Sequence, residues 1–207
     1  NIHVCTGRFA FDVYLDNQLL EGGIHLPAAG RHNVQNATAA FAAMHMAGCN
    51  PAEIAQALEC YPGVKRRLEL IAKNSKLIYY DDYAHHPAEI DALINTIREL
   101  YPDKTITGIF QPHLFTRTRD FGKEFGQSLA KLDVPIITDI YPAREKPLPG
   151  IDANWLLSLI PNERKKYIPY NQLPEIVDTC DEGILLTIGA GDIDVHIGTI
   201  KNRIEQS

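Results

Sequence analysis

The sequence predicts an α/β fold built on a parallel sheet, and three observations carry that prediction. From about residue 70 onwards, short apolar runs of strand length alternate with segments whose apolar residues recur at three- and four-residue spacing. Apolar strands bounded by amphipathic helices are the pattern of βαβ units, which lie in parallel sheets covered on both faces. The residues able to do chemistry fall directly after the apolar runs, at strand carboxyl ends, where open parallel sheets bind ligands.

Taken in order, residues 1–27 read as strands. Phe9, Phe11, Val13 and Leu15 alternate with smaller or polar residues, Asp16-Asn17 supplies a turn, and Gly22-Gly23 separates a second short run from Ile24-His25-Leu26. From Asn33 the signal becomes helical. Val34, Ala37, Ala40, Phe41 and Met44 share a face, Asn33 is placed to cap, and Gly48 is a stop after Ala47. A second helix begins at Asn50-Pro51-Ala52-Glu53, with a capping asparagine and a proline at the first helical position, and ends at Pro62-Gly63. Strands are expected at 76–81, 105–110, 134–140, 166–169 and 183–188. A helix should run from Pro87 to about Tyr101, burying Ile90, Leu93, Ile94, Ile97 and Leu100, and a final helix from about Ile193 to Gln206.

Composition is that of an ordinary globular chain: 207 residues, 45% hydrophobic and 22% charged. Twenty basic against twenty-six acidic side chains give a formal charge of -6, which argues against a sequence-blind nucleic-acid binder. No apolar run approaches the roughly 20 residues that span a bilayer, so no membrane insertion is expected and the protein reads as cytoplasmic. Cys5, Cys49, Cys60 and Cys180 are scattered, with no C-x-x-C pair, and are expected to be reduced thiols. Asn1 is not a methionine and the strand signal begins at once, which points to an excised fragment.

Four polar loops follow the strands: Asp81 to His86, Gln111 to Arg119, Tyr141 to Lys146, and Gly189-Ala190-Gly191-Asp192. Asp81, Asp82, His85 and His86 admit a divalent metal site, a helix start capped by His86 with a solvated aspartate, or a ligand site built on Asp82 and His85. His113, Arg117 and Arg119 sit where a strand gives way to a helix, and arginines there can meet an anionic substrate with paired hydrogen bonds. The glycine turn at 189–192 could cradle phosphate, or could simply be a tight turn. The Asn36 amide could read an adenine edge, and Lys65, Arg66 or Arg67 could reach a phosphate or merely line a solvated connection.

Gly30 to Ala37, Val64-Lys65-Arg66-Arg67-Leu68-Glu69, Asp81-Asp82-Tyr83-Ala84-His85-His86-Pro87, Gln111-Pro112-His113, Thr116-Arg117-Thr118 and Gly189-Ala190-Gly191-Asp192 together resemble the Mur ligases in order over nearly the whole chain. The Asp-Asp-Tyr-x-His-His-Pro and Gln-Pro-His blocks point to the branch that joins L-alanine to UDP-N-acetylmuramate. The resemblance implies that residues 1–69 are the C-terminal part of a central ATP-binding domain and residues 70–207 a complete, dinucleotide-binding-like (Rossmann-like) C-terminal domain. It implies an ATP-dependent, amide-forming reaction through an acyl phosphate, with Mg2+ held mainly by residues outside this chain. By the same resemblance Asn36, Arg67 and Asp82 contact ATP, at adenine, phosphates and ribose. Tyr83, His85, His113 and Arg117 face the amino acid and the acyl phosphate, and His85, His113 and Arg117 carry the catalytic role. Leu114 and Phe115 stand where many relatives have arginine and tyrosine, so Arg119 is a candidate to supply the missing substrate contact. Ala84 replaces a common glycine. No G-x-x-x-x-G-K-[ST] loop is present, so the chain alone is expected to be inactive. A recycling ligase that adds a murein tripeptide to the same nucleotide sugar, or a non-catalytic nucleotide- or metabolite-binding module, would fit the same features.

Overall fold

In the computed structural model, which describes residues 1–5, 8–27, 30–180 and 182–206, the chain divides into two compact units. One comprises residues 1–65 with 95–102, the other residues 66–94 with 103–207.

In the first unit, β1 (Ile2–Cys5), β2 (Arg8–Leu15) and β3 (Gln18–Leu26) form an antiparallel sheet in that order. Leu15 pairs with Gln18 across the two-residue turn Asp16-Asn17, whose positive φ values of 49° and 64° match the twist of a tight hairpin. Gly22-Gly23 does not break the strand, as the sequence suggested. β3 runs through it beside a register shift in β2, and the Gly23 amide donates to Asp12 Oδ1 at 3.0 Å.

Helix α1 (Arg31–Met46) buries Val34, Ala37 and Phe41, but Asn33 does not cap it. The helix starts two residues earlier, Gly30 is the capping residue, and the Asn33 amide donates to the Gly30 carbonyl at 2.9 Å. Helix α2 (Pro51–Glu59) starts as read, the Asn50 side chain accepting from the Ala52 amide at 2.9 Å.

The second unit is a six-stranded sheet in the order β4-β5-β9-β6-β7-β8. Its strands are β4 (Glu69–Lys73), β5 (Leu77–Asp82), β6 (Ile106–Phe110), β7 (Val134–Ile137), β8 (Lys166–Tyr167) and β9 (Gly183–Ile188). All neighbours are parallel except β4, an antiparallel edge strand that the sequence reading passed over. β9 is buried along its whole length, as a central parallel strand covered on both faces must be. β7 and β8 are shorter than their apolar runs, ending at Ile137 and Tyr167.

On one face Tyr79, Ile109, Ile136 and Leu185 pack with Leu173, Ile176, Ile193, Ile200 and Ile204. Of these, Leu173 and Ile176 come from a 3-10 segment, Tyr170–Thr179, and Ile200 and Ile204 from α7 (Ile197–Gln206). The last helix thus begins at Ile197; Asp192–His196 is a separate 3-10 turn. Helix α3 (Pro87–Leu100) keeps its predicted stripe buried, and α4 (Phe115–Asp120) and α5 (Gly122–Leu129) follow β6. The ring centroids of Phe110 and Phe125 lie 5.2 Å apart. Helix α6 is Ala153–Ser158. Cys49 and Cys60 are free thiols; the Cys5 side chain lies outside the described part. No helix among the described residues is long and apolar enough to cross a membrane.

Candidate functional site

The loops after β5, β6, β7 and β9 meet at the carboxyl edge of the sheet because β9 runs between β5 and β6. At the end of β5, strand alternation turns Asp81 and Asp82 to opposite faces. Asp81 is fully buried, accepting from the Thr187 hydroxyl at 2.6 Å and from Arg66 Nε at 3.1 Å. Asp82 accepts from the Leu68 amide at 2.7 Å and the Ala84 amide at 2.8 Å. Burial pushes both carboxyls above the ordinary range, and these hydrogen bonds oppose the shift.

Of the readings of Asp81, Asp82, His85 and His86, a shared metal site gains no support, since the two carboxylates diverge and each is engaged by its own donors. The solvated-aspartate reading fails for the same reason. The helix start is held mainly by Glu89, whose Oε2 accepts from the amides of His85 (2.9 Å) and His86 (3.1 Å). His86 Nδ1 accepts from the Ala88 amide at a longer 3.4 Å.

Arg66, which the sequence offered only as one of a basic run, organises this edge. Besides Asp81, its guanidinium donates to the carbonyls of Gly189 (2.6 Å) and Gly191 (3.4 Å) and lies 3.4 Å from Asp194. It also sits over the Tyr83 ring, 5.0 Å from the centroid, and the Tyr83 amide donates to the Arg66 carbonyl at 2.7 Å. Positive φ at Arg66 (58°) and Leu68 (45°) twists the segment so that Arg66 points inward, while Arg67 between them is exposed. Arg67 is near enough to Asp82 to favour that carboxylate.

The glycine turn is closed by the chain itself. A Cβ on Gly191 would fall 2.3 Å from Gln111 Oε1 and 2.7 Å from the Tyr141 Cβ, and Gly189 has φ 148° with its Cβ direction 2.7 Å from the Gln111 carbonyl. Gln111 is 2% exposed; its side chain donates to Asp192 Oδ1 at 2.7 Å and accepts from the Ile193 amide at 2.9 Å. Of the two readings of this turn, tight packing explains its glycines, and two of its carbonyls face a guanidinium.

Loops two and three are stapled together. The Leu114 amide donates to the Tyr141 carbonyl (2.9 Å), the Tyr141 amide to the Pro112 carbonyl (2.8 Å), and the His113 and Tyr141 rings stack at 5.6 Å. Glu145 accepts from the Thr116 amide at 2.9 Å and from its hydroxyl, capping α4 from a loop 29 residues away. These bonds pull the Glu145 carboxyl below its ordinary range. Leu114, at the head of α4, has φ 71°, a strained conformation for a side-chain-bearing residue.

These supports bring together four of the residues singled out in sequence. Tyr83 meets His85 edge-on at 5.4 Å between centroids, His85 lies 6.5 Å from His113, and Arg117 Nη1 is 3.5 Å from His113 Nδ1. Burial holds His113 below the usual imidazole range, with Arg117 and His85 acting the same way and Glu145 opposing. Arg119 is not part of this group; its guanidinium pairs with Asp120 at a half-exposed position. Asn36 is an exposed residue of α1, in the other unit. Tyr141 and Glu145 were legible only as members of a polar loop and Arg66 only as one of a basic run, without the partners that give them their places here. The available signal was a cation needed by Asp81, which lies at the end of an apolar strand.

A fixed cation, two imidazoles and an aromatic wall at a parallel-sheet edge define a domain that can hold a small acid and handle its protons. The profile of the "Mur ligase, glutamate ligase domain" matches residues 66–191. The chain belongs to the Mur ligase family. It is 49% identical over 183 residues to a UDP-N-acetylmuramate--L-alanine ligase of Cytophaga hutchinsonii, covering 88% of this chain and 39% of that protein. It is 40% identical over 206 residues to the ligase of the same name from Flavobacterium psychrophilum, covering 100% of this chain and 46% of that protein. The fold matches that of a UDP-N-acetylmuramate-alanine ligase from Thermotoga maritima, with a TM-score of 0.82 and 24% identity over 100% of this chain and 45% of that one. A folylpolyglutamate synthase of Mycobacterium tuberculosis shares it at TM-score 0.70 and 15% identity, over 100% of this chain and 47% of that one. The chain spans less than half the length of these relatives.

Proposed function

We propose that this chain is part of an ATP-dependent ligase that joins L-alanine to UDP-N-acetylmuramate. Residues 1–69 are the tail of its central ATP-binding domain and residues 70–207 the domain that presents the acceptor amino acid. The observation that carries this reading is the gathering of Tyr83, His85, His113 and Arg117 at one sheet edge. The names borne by relatives 40% and 49% identical give it the same direction.

In the reaction ATP phosphorylates the lactyl carboxylate of the sugar, and the amine of alanine attacks the resulting acyl phosphate. Arg117 offers the amino-acid carboxylate a directional, charged fork, which binds and orients it without prior reorganisation. The His113 ring, held neutral by its surroundings, adds a hydrogen bond without adding a second full charge. Asn36 presents an exposed amide for the adenine edge and Arg67 an exposed cation for the phosphates. Asp82 takes the ribose; each carboxylate oxygen already accepts one backbone amide and has room for another donor. Magnesium accompanies ATP in such chemistry, and we assign none of its ligands to this chain. The reaction belongs to the cytoplasm, where ATP and the nucleotide sugar are made.

The test is phosphate release by the whole ligase that carries this sequence, given ATP and UDP-N-acetylmuramate with L-alanine, L-serine, glycine or the murein tripeptide in turn. Release with L-alanine is expected. Release with the tripeptide alone selects the recycling reaction, and none with any acceptor selects a non-catalytic binding role.

A further inference from the structure

The two imidazoles of this edge differ in which nitrogen carries the proton, and the difference follows from what each Nδ1 touches. His85 Nδ1 lies 3.0 Å from the Tyr83 carbonyl oxygen and 3.5 Å from Glu89 Oε2. Both partners only accept, so Nδ1 holds the hydrogen and Nε2 keeps its lone pair in the neutral ring. His113 is the reverse. Its Nδ1 lies 3.5 Å from Arg117 Nη1, and a guanidinium only donates, so the lone pair is on Nδ1 and the hydrogen on Nε2.

We propose that His85 is the general base of the amide-forming step, acting through Nε2, and that His113 serves beside it as a neutral N–H donor. The assignment rests on the ligase reading above. An amino acid arrives as an ammonium, whose nitrogen has no lone pair to attack with. His85 Nε2 takes one proton, leaving an amine and an imidazolium. The amine nitrogen bonds to the carbonyl carbon of the acyl phosphate, and the carbon–oxygen bond to phosphate breaks with its electron pair on the phosphate oxygen. The second nitrogen proton departs with that phosphate, and the imidazolium returns its proton to solvent.

The surroundings separate the two rings. Glu89, from α3, stands beside the His85 Nδ1–H and stabilises the imidazolium as it forms, the same use of a carboxylate that orients the histidine of a catalytic triad. His113 faces the Arg117 cation from α4, and protonating it would set two positive charges against each other. Glu145 from the loop after β7 opposes that only in part, and the Arg66 guanidinium is directed over Tyr83 rather than at either imidazole.

The test compares two nucleophiles in the whole ligase. Hydroxylamine is already unprotonated at neutral pH and captures an acyl phosphate as a hydroxamate without needing a base. In His85→Ala and His85→Gln, turnover with L-alanine is expected to fall by about 100-fold or more, the usual scale for a lost general base, while hydroxamate formation falls far less. Equal loss with both nucleophiles, or undiminished turnover with L-alanine, overturns the assignment. Absence of hydroxamate in the wild type removes the ligase reading itself. Nitrogen-15 spectra of histidine-labelled wild-type ligase test the tautomer independently: His85 is expected as Nδ1–H, and a predominant Nε2–H form overturns the base assignment even in an active ligase.

Discussion

Arg66→Ala is expected to destabilise the larger unit by about 3 kcal/mol or more, because breaking a buried ion pair from one side leaves an uncompensated charge. Asp81 is 0% exposed and the Arg66 side chain 18%, so solvent cannot replace the missing guanidinium. The carbonyls of Gly189 and Gly191 lose their donor in the same change. Among the described residues, the Thr187 hydroxyl then remains on Asp81.

The sign of the pH dependence follows from that carboxyl. Asp81 is already pushed above its ordinary pKa by burial, and losing Arg66 pushes it further. A raised folded-state pKa means that the folded form holds the proton more tightly, so the stability it contributes is greatest below the unfolded value and is lost as pH rises through the folded one. The deficit of the variant should therefore grow from mildly acidic to neutral pH. Arg66→Lys restores charge but not the planar fork that reaches a carboxylate and two carbonyls at once, and should recover only part of the loss. Urea midpoints at two pH values read both effects; a loss within about 0.5 kcal/mol, as for an ordinary surface change, would show that Arg66 does not hold the edge together.

Arg117→Ala in the whole ligase should raise the KM for the acceptor amino acid by about 100-fold, since loss of one charge-assisted contact to a bound carboxylate costs two or more kcal/mol. KM for ATP should stay near wild type, because the guanidinium is placed beside His113, on the amino-acid side of the proposed site. Arg117→Lys keeps a point charge and should recover part of the effect. Arg119→Ala is the control: its guanidinium is paired with Asp120 at the surface, and its removal should leave both constants nearly unchanged. Initial rates over amino-acid and ATP concentrations separate these outcomes. A rise in KM for ATP with Arg117→Ala would move this residue to the nucleotide.

The parallel strands were legible because buried strands carry an uninterrupted apolar signal, as residues 77–80 and 184–186 do. β4 was not, since Glu69–Lys73 is an edge strand with a single buried residue and pairs through a register shift. The segment Tyr170–Thr179 has Pro174 inside it and winds as a 3-10 helix, so it lacks the 3.6-residue period by which helices are read. At the site, residue types were visible and partnerships were not. His85, His113 and Arg117 announce themselves by chemistry and by position after a strand, and Tyr83 entered through the family resemblance. Arg66 looked like part of a solvated basic run until its partner Asp81, fifteen residues on, proved fully buried. Glu145 sits in a polar loop, and only its bond to the head of α4 gives it a purpose.

In the proposed complex the acceptor amino acid sits against His85, His113 and Arg117. The most direct measurement is a titration of the whole ligase, saturated with UDP-N-acetylmuramate and a non-hydrolysable ATP analogue, with L-alanine while the histidine ring signals are followed. The His85 and His113 signals are expected to move together and saturate, while those of His3, His25 and His45 stay in place. Saturable alanine binding that leaves both site histidines unmoved would contradict this placement.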